Sequence, residues 1–81
     1  MHIQVFVHDM LTLAVSDPDG HVELAVPEGT DIHGVVVLLS ARSPLFDPRA
    51  LLAVIDHVQV PMSQVLQDGD QVHLYMVIGG G

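Results

Sequence analysis

The apolar residues at the start of the chain recur at every second position, which predicts a β-strand. Within residues 2–8, Ile3, Val5 and Val7 fall on one side of an extended chain and the other residues on the opposite side. Such alternation is typical of a strand with one face against a core. Residues 10–16 alternate as well, and they fit either an extra strand or a lengthened arm of the first hairpin.

A turn and a second strand follow. Residues 17–20 read DPDG, which combines a proline with a preset φ angle, an aspartate that caps locally and a glycine that tolerates positive φ. Beyond this turn, Val22, Leu24 and Val26 occupy alternate positions. The pattern predicts a second strand over residues 21–26.

The apolar period then changes from that of a strand to that of a helix. Thr30 or Asp31 can cap a helix N-terminus, because either side-chain oxygen can accept from a free backbone N–H of the first turn. The apolar residues that follow have the i, i+3, i+4, i+7 spacing of an amphipathic helix: Ile32, Val35, Val36 and Leu39. Three consecutive valines and a glycine are poor helix formers, so packing has to hold this helix.

The second half of the chain contains three further strand patterns. Residues 51–55 form a short continuous apolar run, typical of a buried strand, and residues 58–60 can pair with it after a turn. Residues 68–70 read DGD, a turn in which we expect the glycine to have positive φ. Residues 71–78 then form the last predicted strand, on which one side carries Val72, Leu74 and Met76 and the other His73, Tyr75 and Val77.

The order of these elements predicts an α+β protein with a β-grasp fold, in which one helix crosses a mixed sheet. At 81 residues the chain has room for one domain. We therefore predict a single domain over residues 1–81, with a C-terminal glycine tail at 79–81. The predicted core consists of Ile3, Val5, Val7, Val22, Leu24, Ile32, Val36, Leu39, Val54, Val72 and Leu74.

Acidic residues dominate the charged positions. Ten Asp and Glu residues stand against two basic residues, Arg42 and Arg49, which gives a net charge of −8 with histidine neutral. Nucleic acid is not an expected partner, because phosphate contacts need a basic surface. The acidity fits attraction to a basic protein partner, and it also fits solubility alone.

Several residue types are missing from the chain. Without cysteine there are no disulfides, thiolate metal sites or cysteine nucleophiles, and without lysine only the N-terminal amine is left for isopeptide-type attachment. No apolar run approaches the ~20 residues that span a bilayer, and residues 1–10 lack the pattern of a secretion signal. We expect a soluble, cytoplasmic protein with no membrane partner.

No group of residues has the spacing of a catalytic or metal site. The six histidines include no H-x-x-x-H pair, and His2 and His8 would lie roughly 20 Å apart along a strand, too far for one ion. No serine has the G-x-S-x-G context of a nucleophile. Paired aspartates, at 17 and 19 and at 68 and 70, flank turns and are interpreted as turn formers. We expect no bound metal and no enzymatic activity.

The end of the chain resembles a known family. Residues 66–81, LQDGDQVHLYMVIGGG, are similar to the end of thiamine-type sulfur carriers, where a D-G-D turn leads through an apolar strand to a terminal Gly-Gly. The segments PEGT at 27–30 and LAVID at 52–56 are similar as well. The chain thus resembles the small ubiquitin-like sulfur carriers of the ThiS/MoaD family over nearly its whole length. The specific part of this likeness is the last sixteen residues.

The chain also departs from the family pattern. DH stands at 56–57, where Asn and Gly are common in the family, and the loop before the third strand is closer to molybdopterin-type carriers. The prolines that molybdopterin-type carriers often have before the tail are absent here, where Met76 and Val77 stand. The tail favours the thiamine type, with the molybdopterin type next.

The resemblance implies a role for the glycine tail. Gly81 would be adenylated by an E1-like enzyme that uses ATP, and a sulfur nucleophile would then convert it to a thiocarboxylate. Gly79 and Gly80 would let the tail thread a narrow channel, because glycine has no Cβ. The carrier itself would bind no cofactor. The sulfur would pass to a thiazole synthase or to the large subunit of a molybdopterin synthase.

Two alternatives stay open at this point. Tyr75 and Val77 share a side of the last strand and form either a partner-docking patch near the tail or part of a second core. The whole chain is either a sulfur carrier or a β-grasp binding module whose tail is never activated.

Overall fold

A computed structural model of the chain describes residues 1–15 and 17–77. These residues form five strands, one α-helix and one 3-10 helix. In chain order they are β1 (His2–Val7), the 3-10 helix (Asp9–Ala14), β2 (His21–Ala25), α1 (Ile32–Ser40), β3 (Leu51–Ile55), β4 (Val58–Val60) and β5 (Gln71–Met76).

The five strands form one mixed sheet in the order β2-β1-β5-β3-β4. The neighbouring strands β1 and β5 run parallel, and every other neighbouring pair is antiparallel. The last strand of the chain therefore lies between the first strand and β3. This arrangement confirms the predicted α+β class and the β-grasp fold.

The helix covers one face of the sheet, as its apolar spacing predicts. Asp31 is the N-cap, and its carboxylate accepts a hydrogen bond from the backbone N–H of Gly34 at 2.8 Å. A cap of this kind satisfies one of the free N–H groups in the first turn. The four residues of the predicted stripe are all buried: Ile32, Val35, Val36 and Leu39.

Most of the predicted core is confirmed, with two exceptions: Leu24 is only partly buried and Val54 is not part of the core. Leu24 is only half-buried and packs at the margin of the core. Val54 lies on the opposite face of the sheet, while Leu51 and Ala53 of the same strand are buried. The prediction for Val54 is wrong because a continuous apolar run has no alternation to show which side faces the helix.

Three leucine and phenylalanine residues of the core lie outside the five strands and α1. Leu11 in the 3-10 helix, Phe46 in the loop after α1 and Leu66 before the last turn are all buried. Phe46 is among the largest fully buried side chains of the described residues. These residues belong to the same buried cluster as the apolar residues of α1 and the sheet.

Residues 10–15 form neither an extra strand nor a hairpin arm, so both interpretations are wrong for this part of the segment. It forms most of the 3-10 helix, which Asp9 begins with a φ of 57°. The Thr12 hydroxyl donates to the carbonyl of Asp9 at 2.9 Å. Leu13 is 78% exposed although it continues the alternation of Leu11. Apolar residues at every second position can therefore occur in a 3-10 helix that buries only one of them, as well as in a strand. Ser16 lies outside the described residues.

The predicted turns have the expected backbone. Gly20 and Gly69 both have positive φ, at 71° and 86°. Asp56 and His57 also have positive φ, at 51° and 67°, and they join β3 to β4 as a two-residue hairpin. Both central residues of a type I′ hairpin turn need positive φ, which explains why Asn and Gly are the usual choice for such a turn.

In the described parts of the chain, no helix is long and apolar enough to cross a membrane.

Candidate functional site

The three glycines of the predicted carrier tail, Gly79, Gly80 and Gly81, lie outside the described residues, as does Ile78. The structure does describe the strand that leads to them. β5 is hydrogen-bonded on both sides, to β1 and to β3, and ends at Met76. One residue further on, the N–H of Val77 still donates to the carbonyl of Ala50 at 2.8 Å. The chain before the tail is therefore anchored in the middle of the sheet.

The DGD turn fixes the start of this strand. The N–H of Gly69 donates to the carbonyl of His2 at 2.7 Å, and the carboxylate of Asp68 accepts from the N–H of His2 at 2.7 Å. Asp70 accepts from the N–H of Gln67 at 2.8 Å. These carboxylates bond to backbone groups of the turn and its neighbour β1, in agreement with their interpretation as turn formers.

The sheet face opposite α1, called the outer face below, carries an unusual set of side chains. Strand alternation places the following residues on it: Gln4, Phe6, His8, His21, Glu23, Leu52, Val54, Gln71, His73 and Tyr75. The register arranges them in transverse rows. One row runs across four strands as His21, Phe6, His73 and Val54. The next row contains His8, Tyr75 and Leu52, and the row on the other side contains Glu23, Gln4 and Gln71.

Five rings of these rows form a continuous series, called the ring stack below. The centroid distances are 4.8 Å from His21 to Phe6, 4.9 Å from Phe6 to His73, 5.1 Å from His73 to His8 and 4.3 Å from His8 to Tyr75. The planes of successive rings differ by no more than 22°. For His21–Phe6, Phe6–His73 and His8–Tyr75, these values fit attractive stacking of aromatic rings. The rings of His73 and His8 instead meet edge to edge, because their centroids are 5.1 Å apart while two of their nitrogens are only 2.9 Å apart.

Two histidines of the stack are also joined by a hydrogen bond. Nε2 of His8 lies 2.9 Å from Nδ1 of His73. One of these nitrogens has to accept the bond, so the pair holds together only while that nitrogen is free of a proton. Burial lowers the pKa of His73 below its ordinary value of 6.5, and the neighbouring His8 and His57 lower it further. His73 is therefore neutral near pH 7.

An open cavity of about 230 Å³ lies between this stack and the turn that joins β3 to β4. The turn contributes Asp56 and His57 to its lining. The strands contribute the other lining residues, which are His8, Val54, Gln71, His73 and Tyr75. Val54 is the one aliphatic residue in this lining, and the other six residues carry polar groups, so the cavity offers mainly ring faces and hydrogen-bonding groups.

The structure places the predicted docking residues at the edge of this face. Tyr75 is half-buried because its ring stacks on His8, and Val77 is 56% exposed. Neither residue is part of the buried core. Their role in docking a partner stays a prediction.

Sequence reasoning missed the ring stack and its cavity. Alternation along β1 does place Phe6 and His8 on one side, and alternation along β5 does the same for His73 and Tyr75. Nothing in either segment shows that β1 and β5 are neighbours, or that Phe6 lies opposite His73. That pairing is decided only when the fold forms.

Within residues 1–15 and 17–77, no three His, Asp or Glu side chains are grouped so that they could hold a metal ion.

Comparisons with known proteins find similarity in structure alone. Neither the protein-family models nor the curated proteins include a match to this chain. A number of solved structures match it over almost their whole length, at sequence identities too low to show more than a shared fold.

Three of these structures illustrate the similarity. SAMP1 from Haloferax volcanii has a TM-score of 0.76 and 12% identity, with all of both chains covered. A putative molybdopterin converting factor, subunit 1, from Pyrococcus furiosus has a TM-score of 0.73 and 19% identity, with 95% of this chain and 98% of that chain covered. Urm1 from Trypanosoma brucei has a TM-score of 0.68 and 21% identity, with 99% and 95% covered. The resemblance to ThiS/MoaD-type proteins is thus confirmed at the level of the fold, and the chain has a ubiquitin-like β-grasp fold.

Proposed function

We propose that the chain is a ubiquitin-like sulfur carrier whose C-terminal Gly81 is adenylated and converted to a thiocarboxylate. The observation that carries this proposal is the position of β5. This strand lies between β1 and β3, starts at the DGD turn and ends at Met76, and the sequence continues through Val77 and Ile78 to Gly79-Gly80-Gly81. A glycine end after an anchored central strand suits a tail that enters the active site of another protein.

The chemistry takes three steps and requires an adenylating enzyme, a persulfide and a thiol. The Gly81 carboxylate first attacks the α-phosphate of ATP on an E1-like enzyme, and pyrophosphate leaves. A persulfide then attacks the acyl carbon and displaces AMP, and reduction of the S–S bond by a thiol leaves the thiocarboxylate. The carrier supplies only the carboxylate and the docking surface, so catalysis belongs to the partner and the chain binds no cofactor of its own.

The proposed acceptor of the sulfur is a synthase of cofactor biosynthesis. The D-G-D turn and the glycine tail favour a thiazole synthase of the thiamine pathway. The large subunit of a molybdopterin synthase is the second candidate, and the structural similarity to a putative molybdopterin converting factor favours it. Incubating the thiocarboxylate form with each synthase in turn distinguishes the two, since only the cognate enzyme should consume the sulfur.

The test of the proposal is a mass measurement on the intact chain. With the adenylating enzyme, ATP, a persulfide donor and a thiol, one oxygen of the chain should be replaced by sulfur, and the change should map to the last peptide. Deleting Gly80 and Gly81 should abolish the product, while the chain keeps its fold because chain ends contribute little to a core. Replacing Gly80 by Trp should also impair the reaction, through a clash in the partner's channel.

The rival proposal, a binding module with an inactive tail, predicts a different result. The deleted chain should then bind its partner as well as the intact chain, and no mass change should occur under any condition. Transfer of sulfur to the deleted chain, or no transfer from an enzyme shown to bind the intact chain, would contradict the carrier proposal. The β-grasp fold is unaffected by either result.

A further inference from the structure

The hydrogen bond between His8 and His73 is the one link in the ring stack that is not a contact between ring faces. On one side of this link, His21, Phe6 and His73 stack face to face. On the other side, His8 stacks on Tyr75 with the ring centroids 4.3 Å apart. Nε2 of His8 and Nδ1 of His73 lie 2.9 Å apart, and the two rings meet through these atoms. The ring stack is therefore continuous only while this hydrogen bond exists.

The pair can take up one proton without losing its hydrogen bond. Each neutral imidazole has one N–H and one free nitrogen, so one ring donates to the other. A first proton on the donor ring, at the nitrogen outside the bond, leaves the bond in place and strengthens it through the added charge. A second proton occupies the accepting nitrogen, so that two N–H groups point at each other. The second proton thus breaks the bond and places two like charges side by side.

The surroundings of the pair do not neutralise these charges. The titratable or charged groups around it are Asp9 of the 3-10 helix, His21 and Glu23 of β2, Tyr75 of β5, and Asp56 and His57 of the β3–β4 turn. Within residues 1–15 and 17–77 the one ion pair joins Arg49 to Asp47, so none of these carboxylates is paired with a histidine. Burial lowers the pKa of His73, and the charges of His8 and His57 lower it further. His73 is therefore the second ring of the pair to become charged.

His8 is the member of the pair that is free to turn away. It follows the last residue of β1 and precedes Asp9, which has a φ of 57° and begins the 3-10 helix. His73 lies in the middle of β5, with a paired strand on each side, and the ring of Phe6 covers one of its faces. Rotation of the His8 side chain also ends its stacking on Tyr75.

From these observations we infer that the His8–His73 pair is an acid-operated switch of the outer-face cavity. When both rings are charged, the ring of His8 turns away from His73 and Tyr75. All three rings line the cavity, so the cavity gains space and positive charge. The inference uses no residue of the glycine tail. It can fail while the proposed sulfur chemistry stands, and the reverse also holds.

The direction of the pH effect follows from the protons that each form binds. An open pair takes up its second proton at the ordinary histidine pKa of 6.5, whereas the closed pair takes it up only at lower pH. The closed form is therefore fully favoured above this value and loses stability as the pH falls through and below it. The ordinary pKa values of Asp and Glu, about 3.9 and 4.3, lie below this range, so the carboxylates of the turns stay charged during the change.

The test is an NMR titration of the intact, 15N-labelled chain from about pH 8 to about pH 5, with a chelator present to exclude metal ions. The scalar coupling between Nε2 of His8 and Nδ1 of His73 is transmitted through the hydrogen bond and so reports the closed pair directly. We expect this coupling to survive the first protonation step and to disappear in the second, below pH 6.5, together with a shift of the Tyr75 ring resonances. The methyl resonances of Val5 and Leu74 in the core should not change in the same step, because the switch is confined to the outer face.

Two variants and a control identify the groups responsible. His73→Gln keeps a side-chain donor and acceptor but cannot titrate, so the pH-dependent shift of Tyr75 should fall by at least about two thirds. His2→Gln removes an exposed histidine from β1 and should leave that shift unchanged. Glycine suits the φ of 67° at His57. His57→Gly removes a charge that opposes protonation of His73, so it should move the second step upward by at least about 0.3 pH unit.

Four results would overturn the inference. The first is a coupling that is absent at the upper end of the titration or persists at its lower end. The second is an equal shift of Tyr75 in His73→Gln and in the parent chain. The third is a change of the core methyl resonances in the same step, which would show acid unfolding of the whole domain. The fourth is a second step that stays in place or moves downward in His57→Gly, which would show that repulsion among the histidines does not set it.

Discussion

Single residues decide the backbone path at the turns, and Gly20 shows this most clearly. It has a φ of 71°, and a Cβ at this position would lie 2.6 Å from the carbonyl oxygen of Val7. Gly69 has a similar φ of 86°, but a Cβ there would meet no atom within 4 Å. The first glycine is required both by its dihedral angle and by a close backbone contact, and the second by its dihedral angle alone.

This difference gives a matched pair of substitutions. Gly69→Ala should lower the free energy of unfolding by about 1–2 kcal/mol, the cost of a left-handed conformation for an L-residue. Gly20→Ala should lower it by at least about 1 kcal/mol more, because the added methyl collides with a backbone atom that cannot move freely. Urea denaturation of both variants measures the difference, and equal losses would show that the contact with Val7 relaxes without cost.

At the scale of elements, a residue in a loop can be buried as completely as the residues of the strands. Phe46 lies in the loop between α1 and β3, yet it is only 1% exposed and is packed in the same cluster as Ile3 and Leu39. Leu13 in the 3-10 helix has an equally apolar side chain but is 78% exposed. The two side chains are thus similar in apolar character and differ in how far they are buried.

The expected effects on stability follow burial. Phe46→Ala should lower the free energy of unfolding by about 3–5 kcal/mol, through lost transfer free energy and the cavity that remains. So large a loss is a major fraction of the total stability of a small domain, which is about 5–15 kcal/mol. Leu13→Ala should change it by no more than about 0.5 kcal/mol. Thermal and denaturant unfolding of both variants checks this. A small effect of Phe46→Ala would show that the loop does not unfold together with the rest of the domain.

At the scale of the whole molecule, charge is the dominant property. A net charge of −8 on 81 residues produces a field that extends beyond individual contacts. Such a field speeds the encounter with a basic partner, and salt screens it over a Debye length of about 10 Å at 0.1 M. The same charge, without any partner, keeps a small protein soluble.

Salt dependence distinguishes these two roles. If the charge steers the chain to its proposed adenylating partner, the association rate constant should fall about tenfold or more between low and high salt, and the dissociation rate constant should change little. The double variant Glu23→Gln, Glu28→Gln removes two exposed carboxylates and should reduce the salt slope. Stopped-flow measurements of association test this. A rate that is insensitive to both salt and the variant would leave solubility as the role of the acidity.

Most of the secondary structure of this protein was determined by its sequence alone, because the patterns that specify it involve residues close together in the chain. Alternation along the chain defines β1, β2 and β5, helical spacing defines α1, and the DGD turn with its positive-φ glycine is recognisable from residue type. Each of these features depends on residues that are near neighbours in the chain. Side-chain periodicity and backbone sterics are therefore enough to predict them.

The tertiary structure decided the features that depend on contacts between distant segments. It placed Ala53 inside and Val54 outside on a strand without alternation, turned residues 10–14 into a 3-10 helix, and buried Phe46 from a loop. It also brought Phe6 opposite His73, and so assembled the ring stack and its cavity. Pairing partners and register are chosen by the packing of the whole core, because one residue of slippage would turn every side chain of a strand to the other face.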